Sequence, residues 1–229
     1  MAALWKVDRF RCGPELAVTV LILLLPILAI GAVGNQEIFN AYLLWVPSNV
    51  DLVFFGRTMP TTWLITVDSV VSVSALVAAV AFWRLWSSRL KEPSEVVKII
   101  VGLGVSACAL LSLVVAARIS AGGHKAGVGW VLMFEVLNSI GFANVFPVGL
   151  ALYARASPKV ITGTMIGVYY LHLFMGNNLV GWLGGLLGRM PGTQFWLLHA
   201  ALVGAAAVLM LIAWRLFAHL LAPTGPGDE

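Results

Sequence analysis

The sequence predicts an all-α integral membrane protein built from six transmembrane helices. Three observations predict it. Hydrophobic residues make up 60% of the 229-residue chain and charged residues 10%, with a mean hydropathy of +0.95. Soluble globular chains carry about a quarter charged residues. The apolar residues fall into six runs, each with the ~20 residues of helix that cross ~30 Å of hydrocarbon. The 14 Lys and Arg side chains sort unevenly between the two ends of those runs.

A cytoplasmic N-terminal segment, 1–14, is expected first, with Lys6, Arg9 and Arg11. These precede a long apolar run, as in a signal peptide, but the run continues too far for a signal core. The transmembrane bundle is expected over 15–221, with spans at about 15–45, 60–86, 95–119, 127–154, 158–188 and 193–221. Pro26 predicts a kink inside the first span, which is long enough to tilt or protrude. Pro47, Asn49, Asp51 and Gly56 mark the following loop, and Arg89, Lys91, Glu92 and Pro93 the next. Gly122-Gly123-His124-Lys125, Arg155-Ala156-Ser157-Pro158-Lys159 and Pro191-Gly192 separate the later spans. The tail 222–229 is expected to be cytoplasmic.

Orientation follows from the basic residues. One side takes Lys6, Arg9, Arg11, Arg84, Arg89, Lys91, Lys98, Arg155, Lys159 and Arg215; the other takes Arg57, Arg118, Lys125 and Arg189. The positive-inside rule then puts both termini in the cytoplasm of a multi-pass inner (plasma) membrane protein, consistent with an even number of spans. Trp45, Trp63, Trp130 and Trp196 fall near one face and Trp83, Trp86 and Trp214 near the other, as headgroup belts would. Gly181 with Gly185, and Gly184 with Gly188, are four apart and predict a face for close helix packing.

Several classes are excluded. The net charge of +4 is explained by loop basic residues, and no basic stretch interleaves with aromatics as a nucleic-acid groove requires. Cys12 and Cys108 form neither a disulfide framework nor a metal spacing. No HExxH, GxSxG, CxxC or phosphate-cradling Gly-Lys-Ser/Thr motif occurs, so no enzyme, metal or cofactor is expected.

The chemistry lies in polar groups inside the apolar runs. Glu37, Asp68 and Glu135 fall in the outer halves of their helices, with no Lys or Arg at that depth. Such a carboxyl group is suited to taking up and releasing a proton near neutral pH, as proton-coupled carriers require. These three are the proton-coupling candidates. The alternative is that Glu37 and Glu135 reach the outer headgroup zone. Glu135, Asn138 and Phe142 recur at helical spacing, as do Tyr169, His172 and Gly176, so each set shares a helix face. Asn177 and Asn178 add polarity to the fifth span. Polar groups at this depth face a bundle interior or a wet path; for His172 a hydrogen-bonded packing role stands beside a proton relay. The cavity-lining candidates are Asn35, Gln36, Asp68, Glu135, Asn138, Phe142, Tyr169, His172 and Asn177.

Three segments carry a family resemblance. The first runs from Asn35-Gln36 to Trp45 and continues through Asn49-Val50-Asp51, Phe55-Gly56 and Met59-Pro60-Thr61-Thr62-Trp63. The second is Glu92-Pro93-Ser94 with Lys98 and Gly102. The third comprises Pro147-Val148-Gly149-Leu150-Ala151-Leu152, Ala156-Ser157-Pro158-Lys159, Gly163, Gly167-Val168-Tyr169-Tyr170 and Gly176-Asn177. In this order they resemble the C-terminal half of the proton-dependent oligopeptide transporter (POT) family, within the major facilitator superfamily. The resemblance implies helices seven to twelve of a twelve-helix symporter of protons and di- or tripeptides. It also implies a lipid bilayer, protons and a small peptide or peptide-like solute as partners, with a complementary N-terminal half or a second copy of the chain. The family's Glu-x-x-Glu-Arg motif does not occur in these residues. Where peptide-transporting members place a glutamate after a glycine, this chain has Phe142 after Gly141; Glu135 lies two turns earlier on the same face. Family members also often carry Trp at Tyr169, and an asparagine at Asp68. The competing expectation is a truncated or non-transporting membrane remnant or scaffold that needs an N-terminal half for activity.

Overall fold

A computed structural model describes residues 14–54 and 56–218. Lys6, Arg9, Arg11, Cys12, Phe55 and the tail 222–229 lie outside the described residues. The architecture is almost wholly helical. The principal helices are α1 (Pro14–Gly31), α2 (Val33–Gln36), α3 (Ala41–Asn49), α4 (Thr62–Ser87), α5 (Glu95–Ala121), α6 (Val128–Ala156), α7 (Thr162–Gly184) and α8 (Gly192–Phe217). Strands of two residues each pair in the loops: β1 (Val50–Asp51) with β4 (Ala126–Gly127), and β2 (Val53–Phe54) with β3 (Arg57–Thr58).

Local chemistry sets the helix ends. Ser94 is extended (φ −63°, ψ 158°) and Glu95 begins α5, where an acid complements the helix dipole. Gly123 follows α5 with φ +87°, a left-handed conformation that glycine adopts without steric cost. α6 stops at Ser157, extended ahead of Pro158 (ψ 151°). α7 begins after a 3-10 turn at Lys159–Ile161 and is shorter than the expected 158–188. Gly185 and Gly188 lie past its end, and Gly188 serves a left-handed turn (φ +82°) rather than a packing face.

Among the described residues, four helices, α4, α5, α6 and α8, are long and apolar enough to cross a membrane. A fifth span is counted if Glu15–Gly31 and Val33–Phe39, bent by 42°, are taken together. This first span differs from expectation. α1 runs through Pro26 and breaks afterwards, where a 3-10 turn (Glu37–Phe39) leads to Asn40 at φ −128°, ψ −114°. Asn40 Nδ2 donates to the Val180 carbonyl of α7 at 3.0 Å, which anchors the break to another helix. The Tyr153 hydroxyl donates to the Leu21 carbonyl at 2.5 Å, one turn before Pro26. Side-chain donors of this kind make broken helices tolerable in lipid.

α5 is central, flanked by α6 and α8. α1 packs on α7 and α8, α7 also meets α6, and α4 rests outside this ring against α6. The α5–α6 crossing is glycine-built. A Cβ on Gly102 would lie 2.7 Å from the Gly141 carbonyl, and one on Gly141 2.7 Å from the Gly102 carbonyl. Two apolar cores result, one around Tyr42, Trp45, Phe134 and Trp196, the other around Leu21, Tyr153, Tyr169 and Met210. Trp45 and Trp196 are buried and in edge contact at 5.5 Å. Trp63, by contrast, is exposed.

Candidate functional site

The site is a polar cluster between α3, α4 and α6, inside the first apolar core. Asp68 and Ser72 are one turn apart on α4, Glu135 and Ser139 one turn apart on α6. The two helices pack so that these steps match. Asp68 lies beside Glu135, and Ser72 Oγ is 3.0 Å from Ser139 Oγ. Ser72 also donates to Asp68 Oδ1 at 3.4 Å. From α3, the Tyr42 hydroxyl donates to Glu135 Oε1 at 2.6 Å. Glu135 is fully buried and Asp68 is 5% exposed. No Lys or Arg among the described residues pairs with either acid. Two adjacent carboxyl groups without a cation can share a proton, with Tyr42 orienting one of them.

Asn138, one turn beyond Glu135, is also fully buried, and neither of its amide atoms has a hydrogen-bond partner among the described residues. It faces Gly34 on α2: a Cβ there would be 3.3 Å from Asn138 Oδ1. Asn35 and Gln36 are half-buried on the same short helix. Glu37 is fully buried in the 3-10 turn. Neither Glu37 nor Glu135 therefore extends from the protein surface.

The remaining candidates divide. Tyr169 and His172 are buried toward the second core, their rings 4.4 Å apart. The Tyr169 hydroxyl donates to the Phe146 carbonyl at 2.7 Å, and His172 Nδ1 bonds with the Tyr169 carbonyl. Gly176 continues that face against α1; a Cβ there would be 3.1 Å from the Ala29 carbonyl. Phe142 is half-buried and stacks on Phe146 at 5.1 Å. Asn177 stands apart from the polar cluster, on the exposed face of α7 with Asn178. Of the paired glycines, Gly184 makes a close approach, 2.5 Å from its Cβ position to Asn40 Nδ2, while Gly181 meets nothing within 4 Å.

Tyr42, Ser72 and Ser139 escaped the sequence reading. The serines were within reach of it, since each lies four residues after a singled-out acid. Tyr42 carried no local signal.

At the opposite end a basic–acidic belt closes the bundle. Lys98 pairs with Glu92 and lies 4.9 Å over the Trp83 ring. Arg155 pairs with Glu95. Trp83 Nε1 donates to Asn144 Oδ1 at 2.7 Å, tying α4 to α6.

Solved structures share this helical fold. The fold matches a peptide transporter POT in complex with sulfate, with a TM-score of 0.80 at 14% identity over 91% of this chain and 42% of that one. It also matches a POT family transporter in complex with thioalcohol conjugated peptide, with a TM-score of 0.73 at 18% identity over 91% of this chain and 42% of that one. The chain also has a relative by sequence. It is 28% identical over 183 residues to the peptide transporter YePEPT of Yersinia enterocolitica subsp. palearctica, covering 76% of this chain and 35% of that protein. The chain thus spans about a third of this curated relative and under half of the solved structures. No family model matches it.

Proposed function

We propose that the chain is the C-terminal six-helix half of a proton-coupled carrier for small peptides or peptide-like solutes. It sits in the inner (plasma) membrane with both termini cytoplasmic, and a complementary N-terminal half or a second copy completes it. The observation that carries this reading is the Asp68–Glu135 pair: two neighbouring buried carboxyl groups without a cationic partner, held by Tyr42. The bent first segment and α7 supply the two spans beyond the four most apolar helices. At 23 residues α7 is about 35 Å long, and its packing on α1 supports a transmembrane placement. The bundle rocks against its partner around a central site, and protonation of the acids biases that equilibrium. Phe142 in place of a glutamate favours a solute bound without an acidic clamp on its amine at that point.

The test is uptake of a labelled dipeptide into proteoliposomes under an imposed inward proton gradient. The chain is reconstituted alone and together with the N-terminal half of a related carrier. Uptake in either arrangement supports the reading and identifies the completing partner. Absence of uptake in both, for dipeptides and other amino-acid-like solutes, favours a non-transporting scaffold.

A further inference from the structure

The outward side of α4 carries chemistry that the acid cluster does not use. α4 packs mainly on α6, and its buried residues are Leu64, Asp68 and Ala75. On the other side Val70, Val73, Val77 and Val80 recur at steps of three and four, so they form one stripe. Each is 62–69% exposed. Arg84 falls four residues after Val80 and continues the stripe into the last turn of the helix. Ser69 and Ser74 flank it. Their hydroxyls donate to the Ile65 and Val70 carbonyls one turn back, at 2.8 and 2.7 Å. A surface whose polar groups are satisfied within its own helix suits hydrocarbon.

The end of the stripe is strongly basic. Beyond Ser87 the chain turns through Arg89 and Lys91, both exposed. Arg89 lines an open hollow of about 300 Å³ with Phe82, Leu85, Trp86, Ser88 and Leu90. Trp86 Nε1 donates to the Lys91 carbonyl at 3.3 Å, which folds the turn back on the aromatic end of α4. The acids that follow are engaged elsewhere, Glu92 with Lys98 and Glu95 with Arg155. Among the described residues, Arg84, Arg89 and Lys91 make no ion pair. The positive-inside bias accounts for basic residues in this loop. It does not account for their standing unneutralised at the end of an apolar stripe.

We propose that the α4 stripe and the basic turn form a binding site for an anionic phospholipid. Its phosphate lies among Arg84, Arg89 and Lys91, where a guanidinium fork can hold two phosphate oxygens. An acyl chain lies along Val80, Val77, Val73 and Val70. The lengths match. Val70 to Val80 covers about 15 Å of helix, half of a ~30 Å hydrocarbon core and so one leaflet. Arg84 lies about 6 Å further, at headgroup depth. Charge selects the lipid, because a zwitterionic headgroup brings its own cation to three cations. A lipid seated here braces from outside the helix that carries Asp68. The proposal rests on the membrane placement given above and not on transport.

The test is native mass spectrometry of the full chain released from vesicles of equal parts phosphatidylglycerol and phosphatidylcholine. Each basic residue near an anionic surface contributes about fivefold to association. Phosphatidylglycerol is therefore expected to be retained at least about tenfold over phosphatidylcholine. The triple variant Arg84→Gln, Arg89→Gln, Lys91→Gln is expected to lose that preference. Its counterpart Arg57→Gln, Arg118→Gln, Arg189→Gln, altered at exposed positions elsewhere, is expected to keep it. Equal retention of the two lipids by the unsubstituted protein overturns the proposal even if the variants do not fold. So does a preference that survives in the folded first variant, or one lost equally in both. Glycerol 3-phosphate, a headgroup without chains, is expected not to displace the lipid; displacement would mark a site for soluble anions and overturn the proposal. Displacement by the N-terminal half of a related carrier would make this face a protein interface and overturn it as well. The measurement needs neither solute nor gradient, so its failure is distinct from failure of the transport reading.

Discussion

The Tyr42 hydroxyl donates to Glu135 Oε1 across 2.6 Å, joining the broken first span to α6 inside an apolar core. Removing that hydroxyl leaves a buried acceptor unpartnered. Hydrogen bonds between membrane helices contribute about 0.6 kcal/mol on average, and an orphaned buried group costs about 1–3 kcal/mol. Tyr42→Phe is therefore expected to destabilise the bundle by about 1–2 kcal/mol. Thermal unfolding in detergent measures it. An unchanged melting temperature would show that the bond contributes nothing to stability.

The acid pair has a functional signature distinct from a structural one. In a complete carrier, Asp68→Asn and Glu135→Gln are expected to lower gradient-driven uptake at least about tenfold, equivalent to ~1.4 kcal/mol in the effective barrier. Solute exchange without a gradient is expected to persist, because the amides keep shape and hydrogen bonding. Paired assays on one preparation of proteoliposomes separate the two. Equal loss of both activities would assign the acids to folding or solute binding instead.

The α5–α6 crossing depends on absent side chains. A Cβ at Gly141 would sit 2.0 Å from Ser106 Oγ and 2.7 Å from the Gly102 carbonyl. The serine can rotate, but the backbone oxygen cannot without moving a helix. Gly141→Ala is expected to cost about 1–3 kcal/mol by overpacking. Gly181→Ala, with nothing within 4 Å, is the matched control and should leave stability unchanged. The fraction of monodisperse protein after heating in detergent reports both.

Arg155 and Glu95 pair at the opposite end, where the Arg155 side chain is 58% exposed. Solvent and salt weaken such a pair to about 0–1 kcal/mol. Arg155→Ala is expected to change stability by less than Tyr42→Phe does. Any effect should shrink further as ionic strength rises, which a salt series of melting curves checks.

The sequence by itself determined the helical membrane architecture and the presence of ionisable groups within apolar spans. Both are local properties: a run of apolar residues fixes helix length, and a carboxyl group in such a run must turn either inward or to the headgroup zone. It also determined that Glu135 and Asn138 share a face, since helical periodicity is independent of context. Only the tertiary structure decided which groups meet. Asp68 reaches Glu135, and Ser72 reaches Ser139, because α4 and α6 pack in one axial register, which neither helix encodes alone. The break near Asn40 falls beyond Pro26 because Val180, on another helix, accepts the Asn40 amide. Charge and hydropathy are read along the chain, whereas contacts between side chains depend on how the helices pack across the bundle.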